Sequence, residues 1–232
     1  HIAEYGGDPK NILLAGQSAG AQLSAMLLLE HCLLEVKHAK GGSRTLPFTT
    51  GEGHLEASGG HRVAERADGE DFDSWSVSDF KMYFGVSGPY DIGKMGPHLG
   101  LPERLIWKMT MGDPESCSAE YLVSSEEWQD LAADTAARLP PIRLLHGAVD
   151  NLVPASSSVA FAERLQEVGV MVELDIRQGM NHTYPVIEGP IVRHDLQLET
   201  ILAVFFGEES AKRLLLQPHR PPMWPPIILR IA

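Results

Sequence analysis

Cysteine is nearly missing from this chain of 232 residues, which carries Cys32 and Cys117 alone. Two thiols cannot build a disulfide framework, and neither stands at a metal-ligand spacing. Cys32 falls in an apolar run, where a buried free thiol is expected. Positive charge is also scarce. Lys and Arg number 19 against 31 Asp and Glu, a net charge of −12. So acidic a chain is a poor partner for nucleic-acid phosphates or an anionic membrane surface. A secretory signal pattern is lacking, as is an uninterrupted apolar run long enough to span a bilayer. No internal repeat stands out. Nor is there an initiating Met: the chain opens directly with HIAEYGGDPKN, which reads as a helix end and a loop into a strand. A fragment or trimmed domain is therefore expected.

What is present suits a globular protein with one sizeable core. Hydrophobic residues make up 44% and charged residues 22%, both ordinary values. The chain is organised around Asn11 to Leu29, NILLAGQSAGAQLSAMLLL. It reads as a short buried strand, a tight turn and a long apolar helix. At the turn, Gly16-Gln17-Ser18-Ala19-Gly20 matches G-x-S-x-G, in which a serine on a strained strand-to-helix turn exposes its hydroxyl above a sheet. Glycine is needed because the helix passes so close to the strand that side chains at the flanking positions would clash. The five-letter match is weak alone; the strand before it and the helix after it give it context.

Around this turn the chain alternates strands and helices. Gly6-Gly7 stops a first helix, and Asp8-Pro9 turns into a strand at Ile12 to Ala15 that is expected to be covered on both faces. The helix from about Ser18 to Val36 is apolar on most of its circumference, as suits packing deep against a sheet. Residues 38–79 are rich in Gly, Glu, Ser, His and Arg without apolar periodicity, so a disordered insertion is expected there. His38, His54 and His61 fall within it at spacings that match no metal site.

A strand follows at Met82 to Ser87, then helical pieces over 92–139. Within these, Leu99, Leu101, Leu105, Ile106, Trp107, Met109 and Met111 form either a packed core layer or a cap lining an acyl or lipid pocket. Ile142 to Leu145 is a strand, Pro154 to Val168 an amphipathic helix and Val170 to Ile176 a strand. Residues 190–206 make a last helix, and a Pro-dense tail occupies 217–232. This alternation indicates a parallel α/β sheet.

Serine is a poor nucleophile at neutral pH and needs a base oriented by an acid. On a strand-to-helix serine turn the partners come in the order Ser, acid, His, in loops beyond the later strands. Asp150 stands just past the third strand and His182 just past the fourth. The rivals are weaker. His146 belongs to the His-Gly-x-x-Asp turn, His194 lies inside the final helix, and Asp175 is within a strand. Asp91, after the second strand, is the best alternative acid.

HIAEYGGDPKNILLAGQSAGAQL, YFGVSGPYDI, LPPIRLLHGAVDNLVPA and NHTYP together resemble the isoprenylcysteine methylesterase family of α/β-hydrolases, which is close to the carboxylesterase and hormone-sensitive-lipase-like groups. The resemblance covers most of the chain outside 38–79 and the tail. It implies an α/β-hydrolase fold, here its C-terminal portion over 1–216, with a mainly parallel sheet flanked by helices and the first strands missing. It also implies Ser18 as nucleophile, Asp150 as acid and His182 as base, with Gln17 and Ala19 meeting the substrate around the turn. The implied reaction is hydrolysis of a small-molecule ester, a prenylcysteine methyl ester, with no cofactor and no metal. The implied location is endoplasmic reticulum and Golgi membranes, reached through a segment outside this chain. A general carboxylesterase and a non-catalytic hydrolase fold are the other readings.

Two departures stand out. The family's Lys-Thr before the catalytic His is Met180-Asn181 here. The His-Gly-Gly-type oxyanion loop is absent from these residues, so Ala19 N–H is expected to supply one donor and a segment outside the chain the other.

Overall fold

Four apolar runs bounded by turn residues become four strands in a computed structural model that describes residues 2–5, 7–41, 75–110, 112–192 and 194–215. They are β1 (Ile12–Gln17), β2 (Phe80–Val86), β3 (Ile142–Gly147) and β4 (Val172–Arg177). All pair in parallel, in the chain order β1-β2-β3-β4. Parallel neighbours need crossover connections, and helices supply them. Between β1 and β2 comes α1 (Ala19–Ala39). From β2 to β3 the chain runs through α2 (Ile92–His98), α3 (Glu103–Met109), α4 (Ala119–Ser124), α5 (Glu126–Asp130) and α6 (Ala132–Arg138). The helix α7 (Ser156–Glu167) joins β3 to β4, and α8 (Glu188–Ile191), α9 (Leu196–Phe206) and α10 (Glu208–Leu215) follow.

Successive strand residues point to opposite faces, and here both faces are apolar. Tyr83 of β2 and Leu144 of β3 join the larger core with α1, Trp128 and Phe161. Their neighbours Phe84 and Leu145 join a smaller core with Val86, Met180 and Leu196 on the other face. Burying a large apolar side chain contributes about 1.5–3 kcal/mol. With Tyr83, Phe84, Trp128 and Phe161 all fully buried, the sheet is clamped from two sides and its strand ends are held still.

Several expectations are corrected. β1 is covered on both faces only in part: Leu14 packs against the larger core and Leu13 against the smaller one, but as an edge strand of this sheet it leaves Ile12 and Ala15 exposed. The helix α1 is long and apolar enough to cross a bilayer, contrary to the reading that no run reaches that length. Its Ala25, Leu28, Leu29, Cys32 and Leu33 are instead buried against the sheet, while Leu23 and Leu27 remain exposed.

The ends of the 38–79 stretch are ordered. His38 lies in the last turn of α1, and Ser76 caps a 3₁₀ turn at Val77–Asp79 that leads into β2. Residues 42–74, with His54 and His61, and the tail from 216 lie outside the described residues. The single final helix expected at 190–206 is two, because Asp195 caps a fresh start by accepting from Leu198 N–H. His194 therefore sits in the break between α8 and α9 rather than inside a helix, with the Tyr184 hydroxyl 2.9 Å from its Nδ1. In the 99–111 stretch Ile106 is buried against Gly96, but Leu99, Leu105, Trp107 and Met109 are exposed. Core packing therefore accounts for little of it.

Candidate active site

The turn from β1 into α1 forces Ser18 to φ 55°, ψ −126°, a left-handed backbone that an L-residue adopts at a cost of about 1–3 kcal/mol. Surrounding structure holds it there. Ser18 N–H donates to Val86 O at 2.8 Å, tying the turn to the end of β2. From below, the buried Tyr83 hydroxyl donates to Ala21 O at 2.6 Å, in the first turn of α1. Burial pushes the Tyr83 phenol up to about 12, so it remains a donor at neutral pH. Gly16 is needed because a Cβ there would lie 2.3 Å from Gly20 O. Gly20 itself has open space around it, so the expected clash applies to the first glycine and not the second.

Asp150 sits in the turn after β3 with its side chain fully buried. Its Oδ1 accepts from Leu152 N–H and Val153 N–H, both at 2.9 Å. These bonds leave Oδ2 directed at His182, whose Nδ1 is 2.7 Å away. On the other side of the ring, His182 Nε2 is 2.9 Å from Ser18 Oγ. Since Asp150 accepts at Nδ1–H, Nε2 is free to accept from the serine hydroxyl. All three residues expected from the order Ser, acid, His thus meet in one hydrogen-bonded line.

What brings His182 to this spot is a close approach that the sequence reading missed. A Cβ on Gly147 would lie 2.0 Å from Met180 O, so only glycine lets the loop after β4 rest on the end of β3. Val149 N–H donates to that same Met180 O at 3.3 Å, and Ala148 N–H to Arg177 O at 2.8 Å. The signal available in the sequence was the glycine of His-Gly-x-x-Asp.

The remaining candidates fall into place. The Gln17 amide donates to His182 O at 3.3 Å and lies 3.4 Å from His182 Nε2, so it leans on the imidazole. Ala19 opens α1, whose N-terminus no side chain caps; the positive end of the helix and its leading N–H groups therefore lie next to Ser18. Asp91 is occupied elsewhere, capping α2 through Lys94 N–H and pairing with Lys94 Nζ at 2.8 Å. Asp175 pairs with Arg177. Among the described residues no group of His, Cys, Asp and Glu is placed to hold a metal ion. Ser87, at the end of β2, repeats the left-handed backbone with φ 51° and is fully buried.

A parallel sheet in chain order, a strained serine between strand and helix, and an acid and a histidine beyond the next strands define an α/β-hydrolase fold. Within that class the chain is a homologue of the isoprenylcysteine alpha-carbonyl methylesterases. It is 30% identical over 240 residues to the isoprenylcysteine alpha-carbonyl methylesterase ICME of Arabidopsis thaliana, covering 100% of this chain and 48% of that protein. With the Arabidopsis protein named "Probable isoprenylcysteine alpha-carbonyl methylesterase ICMEL1" it is 31% identical over 216 residues, 90% of this chain and 38% of the other. A Mycobacterium tuberculosis protein named "Probable carboxylic ester hydrolase LipM" is 24% identical over 217 residues, 91% of this chain and 41% of that one.

The chain thus spans about half or less of the length of these relatives. No protein-family model matches it. Among solved structures, the native Est2 esterase of Thermogutta terrifontis aligns at TM-score 0.48 and 22% identity, over 95% of this chain and 61% of that one. Carboxyl esterase 2 of Tuber melanosporum aligns at TM-score 0.45 and 17% identity, over 93% and 55%.

Proposed function

We propose that this chain carries the catalytic machinery of a carboxylic ester hydrolase that cleaves a methyl ester through Ser18, His182 and Asp150. The observation that supports this most is the unbroken line from Ser18 Oγ through His182 to the buried Asp150 carboxylate. Ser18 Oγ attacks the ester carbonyl carbon as its proton passes to His182 Nε2. The tetrahedral intermediate collapses, the C–O bond to the alcohol breaks, and His182 returns the proton so that methanol leaves. Water then attacks the acyl-Ser18 carbonyl with His182 again as base, releasing the acid and restoring the serine. Asp150 holds the imidazole in the Nδ1–H form and stabilises its transient positive charge. Ala19 N–H donates to the developing oxyanion; one such donor is typically worth about 10²–10³ in rate.

The favoured substrate is a prenylcysteine methyl ester. Two observations support it: the names of the relatives, and the apolar residues beside the triad. Val149 and Leu152 flank Asp150 and are exposed. His98 Nε2–H donates to Asn151 O at 3.0 Å, which brings the end of α2 and the exposed Leu99 to the same loop. Such a rim suits an isoprenoid chain, and the exposed Trp107 and Met109 of α3 extend the apolar surface of this helical layer. A second reading, hydrolysis of other acyl esters, is favoured by the likeness to the mycobacterial ester hydrolase. Location at endoplasmic reticulum and Golgi membranes belongs to the proposal on the family resemblance alone, and imaging of the tagged full-length protein tests it.

The decisive experiment is labelling by a fluorophosphonate, with Ser18→Ala as control. Label on the parent chain and none on the variant is expected; equal labelling of both, or of neither, would sink the nucleophile assignment. Ranking a prenylcysteine methyl ester against p-nitrophenyl acetate by kcat/KM then separates the two substrate readings.

A further inference from the structure

His146, the next-to-last residue of β3, has no exposed surface and has no part in the mechanism above. Its ring is nevertheless held at three points. Nε2 is 3.0 Å from Val153 O, which can only accept, so Nε2 carries the proton. Nδ1 is then the acceptor of the neutral ring, and the Ser158 hydroxyl, 2.7 Å away in the first turn of α7, donates to it. The same Nε2–H also lies 3.4 Å from Asp150 Oδ2, the oxygen that faces His182 Nδ1 at 2.7 Å. The Asp150 carboxylate therefore stands between two imidazoles. One is the candidate base and the other is locked by α7.

We propose that His146 is a positioning residue of the triad: a neutral imidazole, fixed as the Nε2–H tautomer by the Val153 carbonyl and held at Nδ1 by Ser158, that sets the orientation and charge of the Asp150 carboxylate. The proposal rests on the esterase reading of Ser18, His182 and Asp150. The groups facing His146 pull on its proton in both directions, with Asp150 and the Val153 carbonyl favouring the charged ring and His182 the neutral one. They are the Asp150 carboxylate from its own turn, His182 from the loop after β4, the Ser158 hydroxyl from α7 and the Val153 carbonyl. Burial is the largest influence and holds the imidazole below its usual range, with the nearby Asp150 pulling the other way. A neutral N–H turned toward Asp150 tempers the charge felt by His182 without adding a second cation beside it. Removing that N–H leaves more of the carboxylate's charge to act on His182 and makes it more basic. It also loosens the carboxylate's rotation about its remaining backbone bonds.

His146→Leu, His146→Gln and Ser158→Ala in the full chain test this. The glutamine amide can still present an N–H to Val153 O and Asp150, and leucine cannot. With p-nitrophenyl acetate, His146→Leu is expected to lower kcat by up to about 10²-fold while KM stays within about twofold. The acid limb of its kcat/KM profile should move to higher pH. His146→Gln should recover most of both, and Ser158→Ala should fall between. A second readout needs no turnover: the low-field proton resonance of His182 Nδ1–H should shift in His146→Leu and return in His146→Gln. If the full-length protein fails to turn over any ester, the esterase reading falls and the resonance still decides the positioning role. An unmoved resonance, an acid limb that stays put or moves down, or equal losses in the leucine and glutamine variants would overturn the proposal.

Discussion

Ser18 keeps its φ of 55° only because the backbone around it has no room to relax, and that room is controlled by glycine. At Gly16 the atoms that a Cβ would meet are Gly20 O, Gly20 C and Ala21 N, all backbone and all within 2.7 Å. At Gly147 the nearest is Met180 O, at 2.0 Å. Neither contact involves a flexible side chain that could swing aside. Gly16→Ala should therefore destabilise by at least the ~3 kcal/mol upper end of ordinary overpacking, read as a shift of the urea midpoint. Gly147→Ala should act differently. The loop carrying His182 is pushed off the end of β3, so fluorophosphonate labelling should fall even where the urea midpoint moves little. If labelling by Gly147→Ala matched the parent chain, the close approach at Gly147 would not be what seats the base.

Elements show how far patterning alone reaches. On α1, Leu28 and Leu33 are 1% exposed in the larger core while Leu23 is 69% exposed. Leu28→Ala or Leu33→Ala should cost about 2–5 kcal/mol, and Leu23→Ala in the same helix should change stability by about 0.5 kcal/mol or less. Chemical unfolding of the three variants checks the contrast. All three positions are leucines in one apolar run, and nothing in that run separates them; exposure depends on which side the sheet and α4 occupy.

The strands were legible to within a few residues because short apolar runs were punctuated by Gly, Pro and Asp. The order Ser18, Asp150, His182 was legible because parallel topology puts the ends of successive strands together. Three features were not. The open edge at β1 depends on what pairs with it, which strand composition does not record. The break at His194 depends on a single capping bond from Asp195. The clamp on His146 depends on Ser158, twelve residues on, reaching back from the next helix.

At the scale of the whole molecule, the response to acid follows from which groups the fold buries. Of the 10 histidines, His146 is fully buried, and burial holds its imidazole below the ordinary value of 6.5. In the unfolded chain the same ring titrates near that ordinary value. Between the two, the unfolded state binds a proton that the folded state refuses, so stability rises with pH there and falls as pH drops. The contribution is fully present above about pH 6.5 and is lost progressively below it, until the folded ring itself takes a proton. Exposed carboxylates are still charged in the upper part of this window, so the first loss of stability on mild acidification should belong to the histidine. The midpoint of thermal unfolding should therefore fall between pH 7 and pH 5.5, and the fall should be shallower in His146→Gln, whose amide does not titrate. Thermal midpoints of both proteins at half-unit steps of pH make the comparison. Parallel curves for the two would mean that His146 takes up its proton in the folded protein as readily as in the unfolded chain. Burial of the ring would then not be holding it neutral.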